Sequence, residues 1–287
     1  MKFLAVLFAW ILAGVPASAE QRYQVTGLVV SIDQAEKTVV ISHDRIPGYM
    51  EAMVMPYQVS EKNLLTQLKP GMKISFTLIV NEDSSHIADV HVREYQSVDR
   101  DPDQARRLKE LDSALRPDST TLKIGQPIPD FNLVDQAARP VSLSQFDGKV
   151  VAVTFVYTRC PLPDYCLRLS NNFGLVQRRF KDRMGRDLIL LSITFDPEHD
   201  QPEVLAKYAN IWKADVAGWH FLTGPLGAVK QVCGMFGMNF WPDEGLMTHS
   251  LHTVVIDRHR KLVANIEGNK FTAQQLGDLI ETTLTAK

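Results

Sequence analysis

The chain has 287 residues, which at about 150 residues per domain suggests two compact units. Hydrophobic residues make up 45%, charged residues 22%, and the net charge is −2; these values exclude a disordered, collagen-like or multi-pass membrane protein. A near-neutral balance argues against a nucleic-acid binder, and three cysteines are too few for a disulfide-stapled scaffold.

Residues 1–19 carry a secretory pattern: Lys2, the apolar stretch Phe3 to Ala13, and the small residues Ala17-Ser18-Ala19. Gly14 and Pro16 interrupt the apolar stretch, and spanning a bilayer takes roughly 20 apolar residues. Cleavage after Ala19 is expected, leaving no stable membrane span, with an uncleaved anchor as the alternative. The mature chain would then lie in the periplasm, where a dithiol can be oxidised.

Residues 23–95 read as short strands: YQVTGLVVSID, KTVVISHD, AMVMPYQV, MKISFTLIV and HIADVHVRE. Their period-2 alternation and the turn at Lys69-Pro70-Gly71 predict a small all-β barrel or sandwich. Residues 96–121 are charged and read as a linker, with a short exposed helix from Asp103 to Leu115. Residues 122–287 alternate strands and helices, as in an α/β unit. VVAVTFVYT (Val150 to Thr158) and LILLSITF (Leu188 to Phe195) are apolar runs typical of strands buried on both faces. Helices are predicted for Leu167 to Phe180, for Pro202 to Trp212 with Asp200 as N-cap, and for Ala273 to Thr283.

Cys160 follows a buried strand and precedes a helix whose first amides favour a thiolate. Cys166 is six positions on, and Pro161 and Pro163 stiffen the excursion between them. A structural disulfide is the bland alternative, but so small a loop gains little from closure. His249 lies just ahead of the strand Thr253 to Ile256. Were that strand antiparallel to the one before Cys160, the imidazole would reach the same sheet edge. Two thiolates and one imidazole suit Cu(I) and can also hold Cu(II). His252 is a competitor, more at home in the core. Cys233, beside Val232 and Met235, reads as a buried thiol. Asp196, at the end of its strand, either orients His249 or faces a partner, or only caps the following turn.

In the first unit, His43, Met50, Met53 and Met55 fall within SHDRIPGYMEAMVMP. Met53 and Met55 are two apart, so on a strand their thioethers share a face. Neutral thioethers are soft ligands that select Cu(I); the alternative is that these methionines fill a small core. His86 and His91 read as surface residues.

The stretches IGQPIPDFNLVDQ, GKVVAVTFVYTRCP, SITFDPEHDQPEVL and THSLHTVVID resemble the Sco/SenC family of thioredoxin-like copper proteins. That resemblance implies copper ligation by Cys160, Cys166 and His249. It also implies a role in assembling the copper A centre of cytochrome c oxidase, by delivering copper to a protein such as subunit II or by reducing its cysteines. The chain departs from many members in having five residues between the cysteines rather than three, and Thr248 rather than an acid before the histidine. Residues 23–92 resemble the CusF-type periplasmic copper/silver-binding domain, an OB-like barrel. This implies a second site at His43, Met53 and Met55. The family's covering tryptophan has no equivalent; Met50 stands near its position, with Tyr49 as an alternative lid. Two further readings of the chain are a thiol–disulfide oxidoreductase using Cys160 and Cys166, and a copper-resistance buffer.

Overall fold

The computed structural model describes residues 20–59, 62–81, 84–93, 121–243 and 245–286. The secretory segment and the charged linker, with its expected helix, lie outside the described residues. So does any test of cleavage after Ala19.

Five strands close into a barrel: β1 (Gln21–Asp33), β2 (Thr38–His43), β3 (Met53–Val59), β4 (Lys73–Val80) and β5 (Ser85–Val92), in the order β1-β2-β3-β5-β4. A short helix, α1 (Lys62–Gln67), follows β3. The register of β1 shifts between Val29 and Ser31, a bulge that bends the strand so that it pairs with both β2 and β4. Val25, Val29, Ile41, Tyr57, Phe76 and Leu78 fill the barrel interior. Gly27 lies opposite His43. A Cβ there would collide with the Ile41 side chain and sit 2.9 Å from the Ser42 carbonyl oxygen, so only glycine lets β1 approach the end of β2.

The α/β unit begins with the hairpin β6 (Asn132–Val134) and β7 (Pro140–Ser142). Its main sheet contains β8 (Val150–Val156), β9 (Leu188–Thr194), β10 (Trp219–Leu222), β13 (His252–Ile256) and β14 (Leu262–Glu267), in the order β10-β9-β8-β13-β14. The first three are parallel, and β13 is antiparallel to both β8 and β14. Every residue of β8 and β9 is buried, as their unbroken apolar runs require. Helices α2 (Arg168–Arg179) and α5 (Ala273–Thr285) pack against each other over β8. Helix α3 (Pro202–Ile211) packs against β10, and α4 (Leu226–Met235) follows it. Between α4 and β13 a second hairpin, β11 (Phe240–Asp243) and β12 (Leu246–His249), carries His249 at its end.

Asp200 does not cap α3. The N-cap is Gln201, without a side-chain cap. The Asp200 carboxylate turns inward instead, accepting hydrogen bonds from the Thr158 amide (3.0 Å), the Thr158 hydroxyl (2.5 Å) and the Thr194 hydroxyl (2.6 Å). Three donors at the ends of β8 and β9 hold it more firmly than one frayed helix amide would.

The two units are docked. Leu28 and Val30, facing out of the barrel, are buried in the same cluster as the α/β core. Gly71, at φ +90°, seats its turn against β14, where an added Cβ would lie 3.0 Å from the Ala264 Cβ. Among the described residues no helix is long and apolar enough to cross a membrane.

Candidate metal centres

β8 ends at Val156, and a turn carries the chain through Thr158 and Arg159 to Cys160. Two acids pin this turn from the far side. Asp200 takes Thr158, as described, and the buried Asp196 takes Arg159 through Nε (3.1 Å) and Nη2 (2.7 Å). Asp196 also meets His199 Nδ1 at 2.9 Å. It therefore holds the cysteine turn to the β9–α3 turn; the Nδ1 of His249 meets the Ser250 carbonyl at 2.8 Å instead. Residues Pro163–Leu167 then make a single turn of π geometry containing Cys166, and α2 starts only at Arg168.

The antiparallel pairing of β13 with β8 brings His249 to the Cys160 edge of the sheet. Cys166 and His249 both lie near enough to Cys160 to act on its thiol, and the Cys160 Sγ donates to the Leu162 carbonyl at 3.8 Å. With Nδ1 engaged by Ser250, Nε2 is the ring nitrogen left for sulfur or an ion. The imidazole is held by aromatic neighbours, with centroid distances of 4.6 Å to Phe195, 5.8 Å to Tyr157 and 6.2 Å to Tyr165. His252 lies elsewhere, buried in β13 with Nδ1 2.9 Å from the Asn265 amide oxygen. Cys233 is buried in α4.

The three cysteines are thiols rather than disulfides. The hydrogen bond from Cys166 brings the Cys160 thiol down to about 4; burial opposes this, and His249 and the amides of Cys166 and Leu162 add to the lowering. The contributing amides lie in the loop and turn before α2 and not at the start of that helix, and the neighbouring thiol dominates. Cys166 moves the other way, held well above 9 by its bond to Cys160, by burial and by the charge on Cys160. The pair thus carries one proton and one negative charge. Burial and then the charge of the sulfurs push the Tyr157 phenol up to about 12, so it stays neutral beside them. Among the described residues no three His, Cys, Asp or Glu side chains form a ready coordination cage. An ion held there would have to displace the Cys166 proton, which burial and the neighbouring Cys160 hold in place.

One measurable consequence is the reactivity of Cys160. A thiol at about 4 remains ionised at neutral pH and takes up its proton only as pH falls toward that value. At pH 5 its thiolate fraction exceeds that of an ordinary thiol by about 10⁴, while its lower basicity costs about 10² in nucleophilicity. Alkylation of Cys160 by iodoacetamide is expected to be roughly 10²-fold faster than for an ordinary thiol at pH 5, and flat from about pH 5 to 8. A rate climbing tenfold per pH unit across that window would contradict the assignment.

In the barrel, His43 ends β2 directly opposite Met53, and Ile41 is opposite Met55, so both thioethers share the face of the imidazole. Met53 is 45% exposed at the barrel mouth, whereas Met50 and Met55 pack against the barrel core. Met50 also pairs with Ile46 across a tight loop. His43 is buried; its Nδ1 is 2.8 Å from the Asp44 carbonyl, and its Nε2 has no hydrogen-bond partner. A buried ring nitrogen with a fixed tautomer and an unfilled lone pair beside thioethers fits a soft cation. Tyr49 is stacked on Tyr23 at 4.4 Å, and the ring that meets His43 edge-on, at 6.1 Å, belongs to Tyr57. Tyr57 escaped the sequence reading, although its position two after Met55 puts it on the same face. His91 is exposed and His86 half-buried.

A mixed sheet with a dithiol on the turn after its central strand defines the α/β unit as thioredoxin-like. Residues 96–285 match the family described as SCO1/SenC, and the chain belongs to that family. Residues 22–92 match the family described as copper binding periplasmic protein CusF. Protein sco1 of Schizosaccharomyces pombe is 27% identical over 160 residues, covering 52% of this chain and 58% of that protein. The chain thus spans little more than half of that relative's length. A SCO1/SenC family lipoprotein from Bacillus anthracis superposes with a TM-score of 0.50 at 23% identity, over 55% of this chain and 95% of that one. BsSco, described as a member of the Sco family of cytochrome c oxidase assembly proteins, gives 0.50 at 21%, over 59% and 99%. Both likenesses concern the fold.

Proposed function

We propose that this chain is an exported copper metallochaperone with two sites. Cleavage after Ala19 releases it to the periplasm. The barrel captures Cu(I) on His43, Met53 and Met55, with Met50 in reserve, and passes it to Cys160, Cys166 and His249. A copper-receiving protein takes it from there, and by analogy with BsSco the oxidase subunit that houses a copper centre is the natural recipient. The observation that carries this reading is the nearness of the Cys166 thiol and of a His249 imidazole, whose Nδ1 is held by Ser250, to a Cys160 thiol whose pKa they lower. Soft thiolates with one imidazole suit both copper oxidation states, and low-basicity sulfur stays available where ordinary thiols are protonated.

The same charge arrangement favours a second reading. A Cys160 thiolate can attack a target disulfide to form a mixed disulfide. Cys166 then resolves it, so that two electrons pass to the target and the chain is left as the Cys160–Cys166 disulfide. His249→Ala separates the two. The copper chaperone predicts that the reduced variant loses copper from its second site, read by metal content and by loss of nitrogen scattering in X-ray absorption. Retained copper with undiminished reductase turnover would transfer the function to the enzyme. A copper-resistance buffer would show itself by copper sensitivity on gene deletion with normal oxidase activity.

A further inference from the structure

The N-terminus of α5, an element of the thioredoxin-like unit, is wired to the two barrel segments that carry the His/Met donors. Gln275 is 2% exposed. Its Nε2 donates to the Ser42 carbonyl (3.1 Å) and to Asp44 Oδ1 (2.9 Å), so one amide group bridges the residues on either side of His43. The Ser42 hydroxyl donates to Asp278 Oδ2 at 2.7 Å, one turn further along α5, and Arg179 holds the other oxygen of that carboxylate at 2.8 Å. Gln274 donates to the carbonyl of Ala52, the residue before Met53, at 3.1 Å. On the barrel side, Asp44 also accepts from Thr26 and, at 3.2 Å, from Lys73.

We propose that Gln275 is a positioning residue for His43. By clamping Ser42 and Asp44 it fixes the backbone on which the imidazole stands, and with it the Asp44 carbonyl that takes Nδ1 and leaves Nε2 open to the barrel. The inference rests on the reading of His43 as a copper ligand. Its consequence is that the barrel site draws its Cu(I) affinity partly from the other unit, so the barrel does not act as a freely swinging carrier. The glutamine also has a purely structural duty. Its Oε1 accepts from the Thr272 amide (3.1 Å), completing the capping box of α5, and from Lys73 (3.1 Å). Gln275→Glu preserves both of those acceptor contacts, removes the donor arm that reaches the His43 strand and sets a carboxylate oxygen beside Asp44.

The test uses the full chain carrying Cys160→Ser and Cys166→Ser, so that Cu(I) is read at the barrel alone. Cu(I) is titrated against a chromophoric chelator, and the ring nitrogen shifts of His43 are followed by ¹⁵N NMR. Gln275→Glu is expected to weaken Cu(I) binding about tenfold or more, the range typical of groups that orient a metal-binding histidine, and to move the His43 shifts toward a tautomer mixture. Gln275→Ala, which sets no new charge beside Asp44, is expected to do the same. Unchanged affinity and unchanged shifts in both variants, with binding lost in His43→Ala, would overturn this inference alone. Unchanged binding in His43→Ala would overturn the ligand assignment itself.

Discussion

Cys160→Ala is expected to strip copper from the thioredoxin-like unit more completely than any other single change. Four-ligand structural metal sites hold their ion with about 10–16 kcal/mol in total. One donor is then worth about 3 kcal/mol, and its loss costs roughly 10² or more in affinity. Cys160 should exceed that share. It is the sulfur already ionised near neutrality, and both other donors act on it to lower its pKa. Without it, Cys166 loses the partner that most perturbs it, and His249 is left with the Ser250 carbonyl. Competition titration of the reduced variant, carrying His43→Ala to silence the barrel, checks this. Affinity within tenfold of the parent would mean that the copper is held elsewhere.

Phe195→Ala is expected to be the most damaging change to the scaffold around that site. Phe195 is fully buried at the end of β9, with ring centroids 5.1 Å from Tyr157, 5.5 Å from Phe240 and 4.6 Å from His249. Removing a buried phenyl ring costs about 3–5 kcal/mol, the lost transfer energy plus the cavity left behind. In a unit of this size that corresponds to a fall in Tm of about 6–20 °C. The ring joins three separate chain segments, so the cavity cannot collapse without moving His249. The pH-independent alkylation of Cys160 should therefore lose part of its enhancement in the same variant. A fall in stability below about 1 kcal/mol would show that the aromatic cluster is not packed as described.

Docking of the barrel also bears on how copper could travel. With Leu28 and Val30 buried in the core of the other unit, separating the two exposes apolar surface at a cost of roughly 25 cal/mol per Å². A swinging tether is therefore a poorer description of the chain than a fixed platform whose two candidate sites are held by one body.

Much of this architecture was legible in one dimension because it depends on local periodicity. Alternation in KTVVISHD and MKISFTLIV specifies strands with one buried face, and those strands close the barrel. The unbroken apolar runs around Val153 and Leu191 specify strands covered on both sides. The convergence of His249 on Cys160 followed from an assumed antiparallel pairing, and β13 does run against β8. The hairpin that presents His249 was not legible, since FWPD carries no alternation and Pro242 argues against a strand. Asp200 was misread because a carboxylate before a helix looks like a cap, and its competing hydroxyl partner Thr158 lies 42 positions away.

Residue order alone thus determined the chemistry on offer and the type of each element: thioethers with one imidazole in a β unit, and a dithiol after a buried strand in an α/β unit. Folding in three dimensions decided which donors meet and in what charge state. It drew the Cys160 thiol down and pushed the Cys166 thiol up, left Nε2 of His43 without a partner, and set a glutamine of the last helix against the strand that carries that histidine. The division has a physical basis: backbone periodicity is a short-range property written in neighbouring residues. Proton sharing, desolvation and the pairing of distant polar groups exist only once the chain has brought remote segments into contact and excluded water from between them.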